Sequence, residues 1–123
     1  MSEPYNTGFQ GEEAACRYLV GKGYRILDRN YRARPYELDI VARIDDVVVF
    51  CEVKTARTVR FGPPASWVTP RKIRHIARAA MDYIRSKAIS DAAFRFDVIA
   101  LDTADGEIRI THIENAFSAP EGM

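Results

Sequence analysis

Apolar and polar residues alternate along the chain with two different periods. Between about Phe9 and Val20, the residues Phe9, Ala15, Cys16, Leu19 and Val20 form a helical stripe, and "GKG" ends it. "YRILDRN" reads as a short strand, followed by a polar linker, "YRARPY". The stretch "YELDIVARIDDVVVFCEVKTA" reads as two strands joined at Asp45-Asp46. "TARTVRFGPPASWV" is a loop punctuated by Gly and Pro, after which Thr69-Pro70 starts a second helix, with Thr as N-cap and Pro in the first turn. That helix is expected to run to about Lys87 and to bury Ile73, Ile76, Ala77, Ala80 and Ile84. "FRFDVIAL" and "EIRITHI", separated by "DTADG", predict a closing hairpin. The order α-β-β-β-α-β-β describes an α/β fold, a mixed central sheet flanked by helices.

A two-residue turn at Asp45-Asp46 fixes which side chains meet. Ile44 then faces Val47, Val41 faces Phe50, Asp39 faces Glu52 and Glu37 faces Lys54. One face of this pair carries Leu38, Ile40, Ala42, Ile44, Val47, Val49, Cys51 and Val53 and is expected to be core. The charged residues gather at one end of the other face, beyond Val41, Val48 and Phe50. Two carboxylates that close repel unless a proton or a cation lies between them. Mg²⁺ suits two carboxylates, a backbone carbonyl and several waters, and Lys54 points to the same side, where it can hold or activate a water. The alternative is a set of solvated surface pairs, Glu37–Lys54 and Asp39–Arg43. On the first helix, Glu13 and Arg17 are four apart and read as an ordinary exposed pair. Glu12 falls along the apolar stripe. Two roles stay open for it, a capping carboxylate in the first turn and a further acidic group at the metal.

Composition narrows the class without choosing a function. At 123 residues the chain is expected to form one domain over residues 8–115, with residues 1–7 and 116–123 as flexible termini. A composition 47% hydrophobic and 28% charged is that of an ordinary globular protein, and a net charge of +1 leaves any attraction to nucleic acid to local clustering. The two cysteines, Cys16 and Cys51, lie in apolar stretches without zinc spacing and read as reduced core residues. "MSEPYNTG" lacks a signal-peptide pattern and no apolar run suits a membrane span, so a cytoplasmic location away from the membrane is expected.

Four segments in order, "GFQGEEAACRYLVGKGYRILDRNYR", "ELDIVA", "VVVFCEVKTA" and "RFGPPASWVTPRKIRHIARAAMDYI", resemble the YraN-like family of bacterial proteins, within the restriction-endonuclease-like PD-(D/E)XK nuclease superfamily. The resemblance covers about residues 8 to 101. It implies an αβββαβ core, here with an extra C-terminal strand. It also implies roles: Asp39 and Glu52 as metal-binding acids for Mg²⁺ or Mn²⁺, Lys54 as catalytic lysine, Val53 as donor of a backbone carbonyl, and Glu12 as the acid supplied by the first helix. Glu37 matches the Glu of the family's Gly-Glu-Ile-Asp stretch. The chain departs from the pattern at Leu38, where the motif has Pro, at Tyr36, where the family has Gly, and at Ala56, which places Arg57 one position late.

The function so implied is metal-dependent hydrolysis of phosphodiester bonds in DNA, branched or damaged DNA among the candidates. Alternatives are a catalytically silent nucleic-acid-binding or accessory module of the same fold, and a scaffold that uses neither metal nor nucleic acid. Arg71, Lys72, Arg74, His75, Arg78, Arg85 and Lys87 crowd the second helix, and Arg57 and Arg60 lie in the loop before it. Of these, Arg57, Arg60, Arg71, Lys72, Arg74 and Arg78 are the expected contacts to a phosphate backbone, against the alternative of an ordinary solvated basic face. A protein partner supplying specificity and a homodimer both stay open. His75 is expected at the surface or on a phosphate, His112 in a structural role, and Trp67 and Phe61 packing their loop to the core. Asp97 is expected to pair with Arg95 or Arg109.

Overall fold

The computed structural model describes residues 7–56, 67–102 and 106–121. Helix α1 spans Thr7–Gly21 and is followed by strands β1 (Arg25–Ala33), β2 (Tyr36–Ile44) and β3 (Val47–Ala56). Helix α2 (Pro70–Ser86) then leads to β4 (Ala93–Asp102) and β5 (Arg109–Phe117). The five strands form one sheet in chain order. Neighbours are antiparallel except β3 and β4, which run parallel from Val47↔Ala93 to Ala56↔Asp102. A parallel pair needs a long crossover, and α2 lies within it. This mixed α/β architecture is consistent with the restriction-endonuclease-like core plus a C-terminal strand.

The turns follow from local chemistry. Asp45 takes a left-handed φ of 51° between β2 and β3, a conformation Asp tolerates in tight hairpins. The expected register follows, with Ile44 opposite Val47 and Val41 opposite Phe50. Thr69 caps α2 by accepting the Lys72 N–H at 3.1 Å, with Pro70 in the first turn.

Each face of the sheet carries one helix. On the α1 side, Ala15, Cys16 and Leu19 pack on Ile40, Ala42, Val49, Cys51, Ile99 and Leu101. On the α2 side, Ile76, Ala77, Ala80 and Tyr83 pack on Val41, Val48, Phe50, Val98 and Trp67. Burying one such Val, Ile or Phe side chain contributes about 1.5–3 kcal/mol. The second face of the central hairpin is therefore core as well, because α2 covers what alternation alone leaves open. Both cysteines are buried and free.

Several expectations are corrected. The first helix starts at Thr7, which puts Glu12 in its second turn, and α1 has no acidic residue in its first turn. The capping role for Glu12 falls. Strand β1 runs through Tyr31 and Ala33, absorbing most of the expected linker and leaving Arg34-Pro35 as the turn. Leu38 packs on the α2 side while Ile40 packs on the α1 side. The ladder steps from Arg29↔Ile40 to Tyr31↔Leu38 past Asn30, whose φ is 53°, and the alternation changes face there. Ile73 and Ile84 of the α2 stripe are only half-buried, and Ala79 and Tyr83 join the buried set. Strand β5 continues to Phe117, whose ring stacks on Phe96 at 5.1 Å, past the expected boundary at residue 115.

Candidate functional site

Asp39 on β2 and Glu52 on β3 lie just past Ile40↔Cys51, the last pair of the ladder between the two strands. There the Val53 N–H donates to Asp39 Oδ2 at 2.9 Å, so a carboxylate satisfies a main-chain donor and is fixed by it. The described contact of Val53 at this site is thus its N–H. The Glu52 carboxyl donates a hydrogen bond to Asp39. Burial is the main reason both carboxyls are raised above their ordinary values. The charge of Asp39 then helps push Glu52 up to about 8, against the opposing pull of Lys72. At neutral pH the pair holds one proton between its two acids.

The cation on this pair comes from α2: Lys72 Nζ lies 3.6 Å from Glu52 Oε2. Capping by Thr69 sets the first turn of α2, and with it the stem of Lys72. Lys54 follows Glu52 by two residues on β3 and shares its face, half-buried. Glu12 approaches from α1. Burial first, then the charges of Asp39 and Glu37, raise its pKa, while a hydrogen bond with the Asn30 side chain and the charge of Arg29 oppose them. Glu37 itself is exposed, opposite Arg32 on β1. The Asp39–Arg43 part of the surface-pair alternative is not what forms, since Asp39 turns to Val53 and the Arg43 Nε–H donates to the Asp45 carbonyl at 3.1 Å.

Two half-buried carboxyls sharing a proton are a fitting donor set for a hard divalent cation, which would take that proton's place. Among the described residues no group of three or more His, Cys, Asp or Glu side chains comes together to hold an ion. The fit is therefore that of a two-carboxylate site, completed by main-chain or water oxygens.

The family model described as "Uncharacterised protein family UPF0102" matches residues 11–101. The chain is 48% identical over 110 residues to a UPF0102 protein of Syntrophomonas wolfei, covering 89% of this chain and 96% of that one. It is 49% identical over 115 residues to a UPF0102 protein of Pelobacter propionicus, covering 91% and 82%. A Geobacter sulfurreducens relative is 48% identical over 111 residues, covering 89% and 87%. The chain belongs to the UPF0102 family. This is the YraN-like family to which its motifs pointed.

In this UPF0102 protein α2 presents Arg71, Arg74 and Arg78 as exposed residues, while Lys72 turns to Glu52. Arg57, Arg60 and Phe61 lie outside the described residues. Trp67 is buried against the α2-side core. His75 lies against Tyr36, ring centroids 4.7 Å apart.

One feature had no counterpart in the sequence reading, and a second was expected only as a pair of Asp97 with Arg95 or Arg109. The ion pair of Lys72 with Glu52 joins residues of unrelated segments and depends on how α2 docks. A second polar cluster, away from the pair, is built on Asp97, which is fully buried. Arg95 donates to both its oxygens at 2.9 Å, His112 Nε2 lies 2.7 Å away, and the Asn115 N–H donates at 2.9 Å. Burial would raise the Asp97 pKa, but these three partners hold it below the ordinary carboxylate value. Tyr24 accepts from Arg95 at 2.6 Å and the Tyr18 hydroxyl meets His112 Nδ1 at 3.1 Å. Asp97 is thus the partner of Arg95, and His112 is tied into the core.

Proposed function

We propose that this protein hydrolyses phosphodiester bonds in DNA, as a metal-dependent nuclease of the restriction-endonuclease-like PD-(D/E)XK type. The observation that carries the reading is the half-buried Asp39–Glu52 pair, raised in pKa and balanced by a lysine, where the ladder between β2 and β3 ends. Such a pair is unfavourable unless something that enters it is favourable. Bound Mg²⁺ or Mn²⁺ would neutralise phosphate charge and acidify a water there. Asp39, oriented by the Val53 N–H, and Glu52 would hold the ion. Lys54, on the same face of β3, would orient the attacking water and Lys72 would stabilise charge on the phosphate. Glu12, with its raised pKa, would exchange a proton with that water. The exposed arginines of α2 would carry the backbone. A cytoplasmic location accords with this substrate.

A second reading, a nucleic-acid-binding or accessory module without hydrolysis, is favoured by one observation. The described residues supply two converging carboxyls and no third, and Glu52 is neutral until about pH 8. Cleavage of labelled single-stranded, duplex and branched DNA in Mg²⁺ or Mn²⁺ separates the two. The nuclease reading expects cleavage that falls by about a hundredfold or more in Asp39→Ala and Glu52→Ala, the scale of losing a charge-stabilising group at the reacting centre. Binding that survives Glu52→Ala, with no cleavage by the wild type, supports the accessory module. Neither binding nor metal affinity would leave only a scaffold.

A further inference from the structure

Away from the carboxyl pair, the β1–β2 turn and one stripe of α2 enclose a groove of about 510 Å³. Arg34 and Tyr36 form one wall, and Arg78, Met81, Asp82 and Arg85 the other. The α2 residues are spaced i, i+3, i+4 and i+7, which puts them on a single face. Three guanidinium groups therefore meet one carboxylate. That carboxylate is already engaged, since the Tyr31 hydroxyl donates to Asp82 Oδ2 at 2.6 Å. None of the three arginines has an ion-pair partner among the described residues. Cations gathered in a concave surface without matching carboxylates repel one another and favour a polyanion.

A row of α2 residues leads from the groove toward the site. Tyr36 lies on His75, and the pKa of His75 is held low, first by desolvation and then by the charges of Arg71, Lys72, Arg74 and Arg78. Those four cations therefore surround the ring that backs Tyr36. Lys72 touches Glu52 at the other end of the row. At 1.5 Å per residue, Arg78 lies about 9 Å and Arg85 about 20 Å along α2 from Lys72. That is the reach of a nucleic-acid strand a few nucleotides long. Tyr36 stands where the resemblance has Gly, and a glycine would leave the groove without this wall.

We propose that the groove is a phosphate-binding subsite for the nucleic-acid strand flanking the carboxyl pair. Arg34, Arg78 and Arg85 take phosphodiester oxygens, and Tyr36, backed by His75, offers a ring face to a base or sugar. This rests on the nucleic-acid reading of the site, though not on hydrolysis.

The test is fluorescence anisotropy of a labelled single-stranded oligonucleotide and its duplex, with EDTA present so that binding is read without cleavage. Full-length wild type is compared with Arg78→Ala/Arg85→Ala, with Arg34→Ala and, as a control in the turn after α1, with Lys22→Ala. Circular dichroism confirms folding, and Arg34→Ala perturbs the opposite wall independently of the helix. The double variant is expected to bind the single strand about tenfold more weakly and to lose roughly 1.4 from the slope of log affinity against log salt, the share of two phosphate contacts. Arg34→Ala should lose about half that slope, and Lys22→Ala none of it. A wild type that binds neither oligonucleotide overturns the proposal, as do groove variants that behave like Lys22→Ala. A parallel cleavage assay in Mg²⁺ keeps the two ideas apart. If binding depends on the groove but nothing is cut, the groove stands and hydrolysis falls. If cutting occurs and the groove variants neither bind nor cut more weakly, hydrolysis stands and the groove falls.

Discussion

Glu52 is the residue at which structure and chemistry meet. Its folded pKa of about 8 lies above the ordinary 4.5, so between these values the folded chain binds more protons than the unfolded one. The stabilising effect of the neutral carboxyl is complete below about pH 4.5 and is lost as pH rises to about 8. Glu52→Gln mimics the neutral form. It is expected to melt above the wild type at pH 8.5, by an amount on the order of a few kcal/mol, and to match it near pH 4.5. Parallel melting curves across this range would contradict the shift. The strand alternation was enough to bring Asp39 and Glu52 together, because a hairpin turn of two residues dictates register. Lys72 was legible only as one basic residue among several, since its partner is chosen by the docking of α2 and not by spacing.

The elements hold the site through close packing. Gly11 on α1 lies so near β3 that a Cβ added there would sit 2.6 Å from Thr55 Cγ2. Gly11→Ala is expected to destabilise by about 1–3 kcal/mol as α1 is pushed off the sheet, outweighing the better helix propensity of Ala. Thr55→Ser removes the clashing methyl group and should recover most of the loss in the double variant. Urea unfolding of the single and double variants measures both, and simple additivity would contradict the contact. At α2, Thr69→Ala removes the cap on the Lys72 N–H and is expected to lower stability by about 1 kcal/mol in the same assay. The second helix was readable from its Thr-Pro start, which is local chemistry. The change of face between Leu38 and Ile40 was not, because it arises where Asn30 on the neighbouring strand adopts a left-handed φ.

At the scale of the whole molecule, one mixed sheet with a helix on either face brings α1, the end of the ladder between β2 and β3, and α2 to a common place. The Asp97 cluster anchors the far edge by tying β4 and β5 to Tyr24 and to α1 through Tyr18. Asp97→Ala leaves Arg95 and His112 without their shared carboxylate and is expected to destabilise by about 3–5 kcal/mol in urea unfolding. A change below about 1 kcal/mol would show that the cluster is not structural. The order of elements was legible from periodicity, whereas this cluster was only half-seen as Asp97 beside Arg95, since His112 and Asn115 reach it across a strand pair. The proposed chemistry depends on Asp39 and Glu52 accepting a divalent cation. Calorimetric titration of Mn²⁺ into the wild type and into Asp39→Ala/Glu52→Ala, with DNA present, tests this most directly. Saturable binding in the wild type that disappears in the double variant is the predicted result. No saturable binding in the wild type, or equal binding in both, would contradict it.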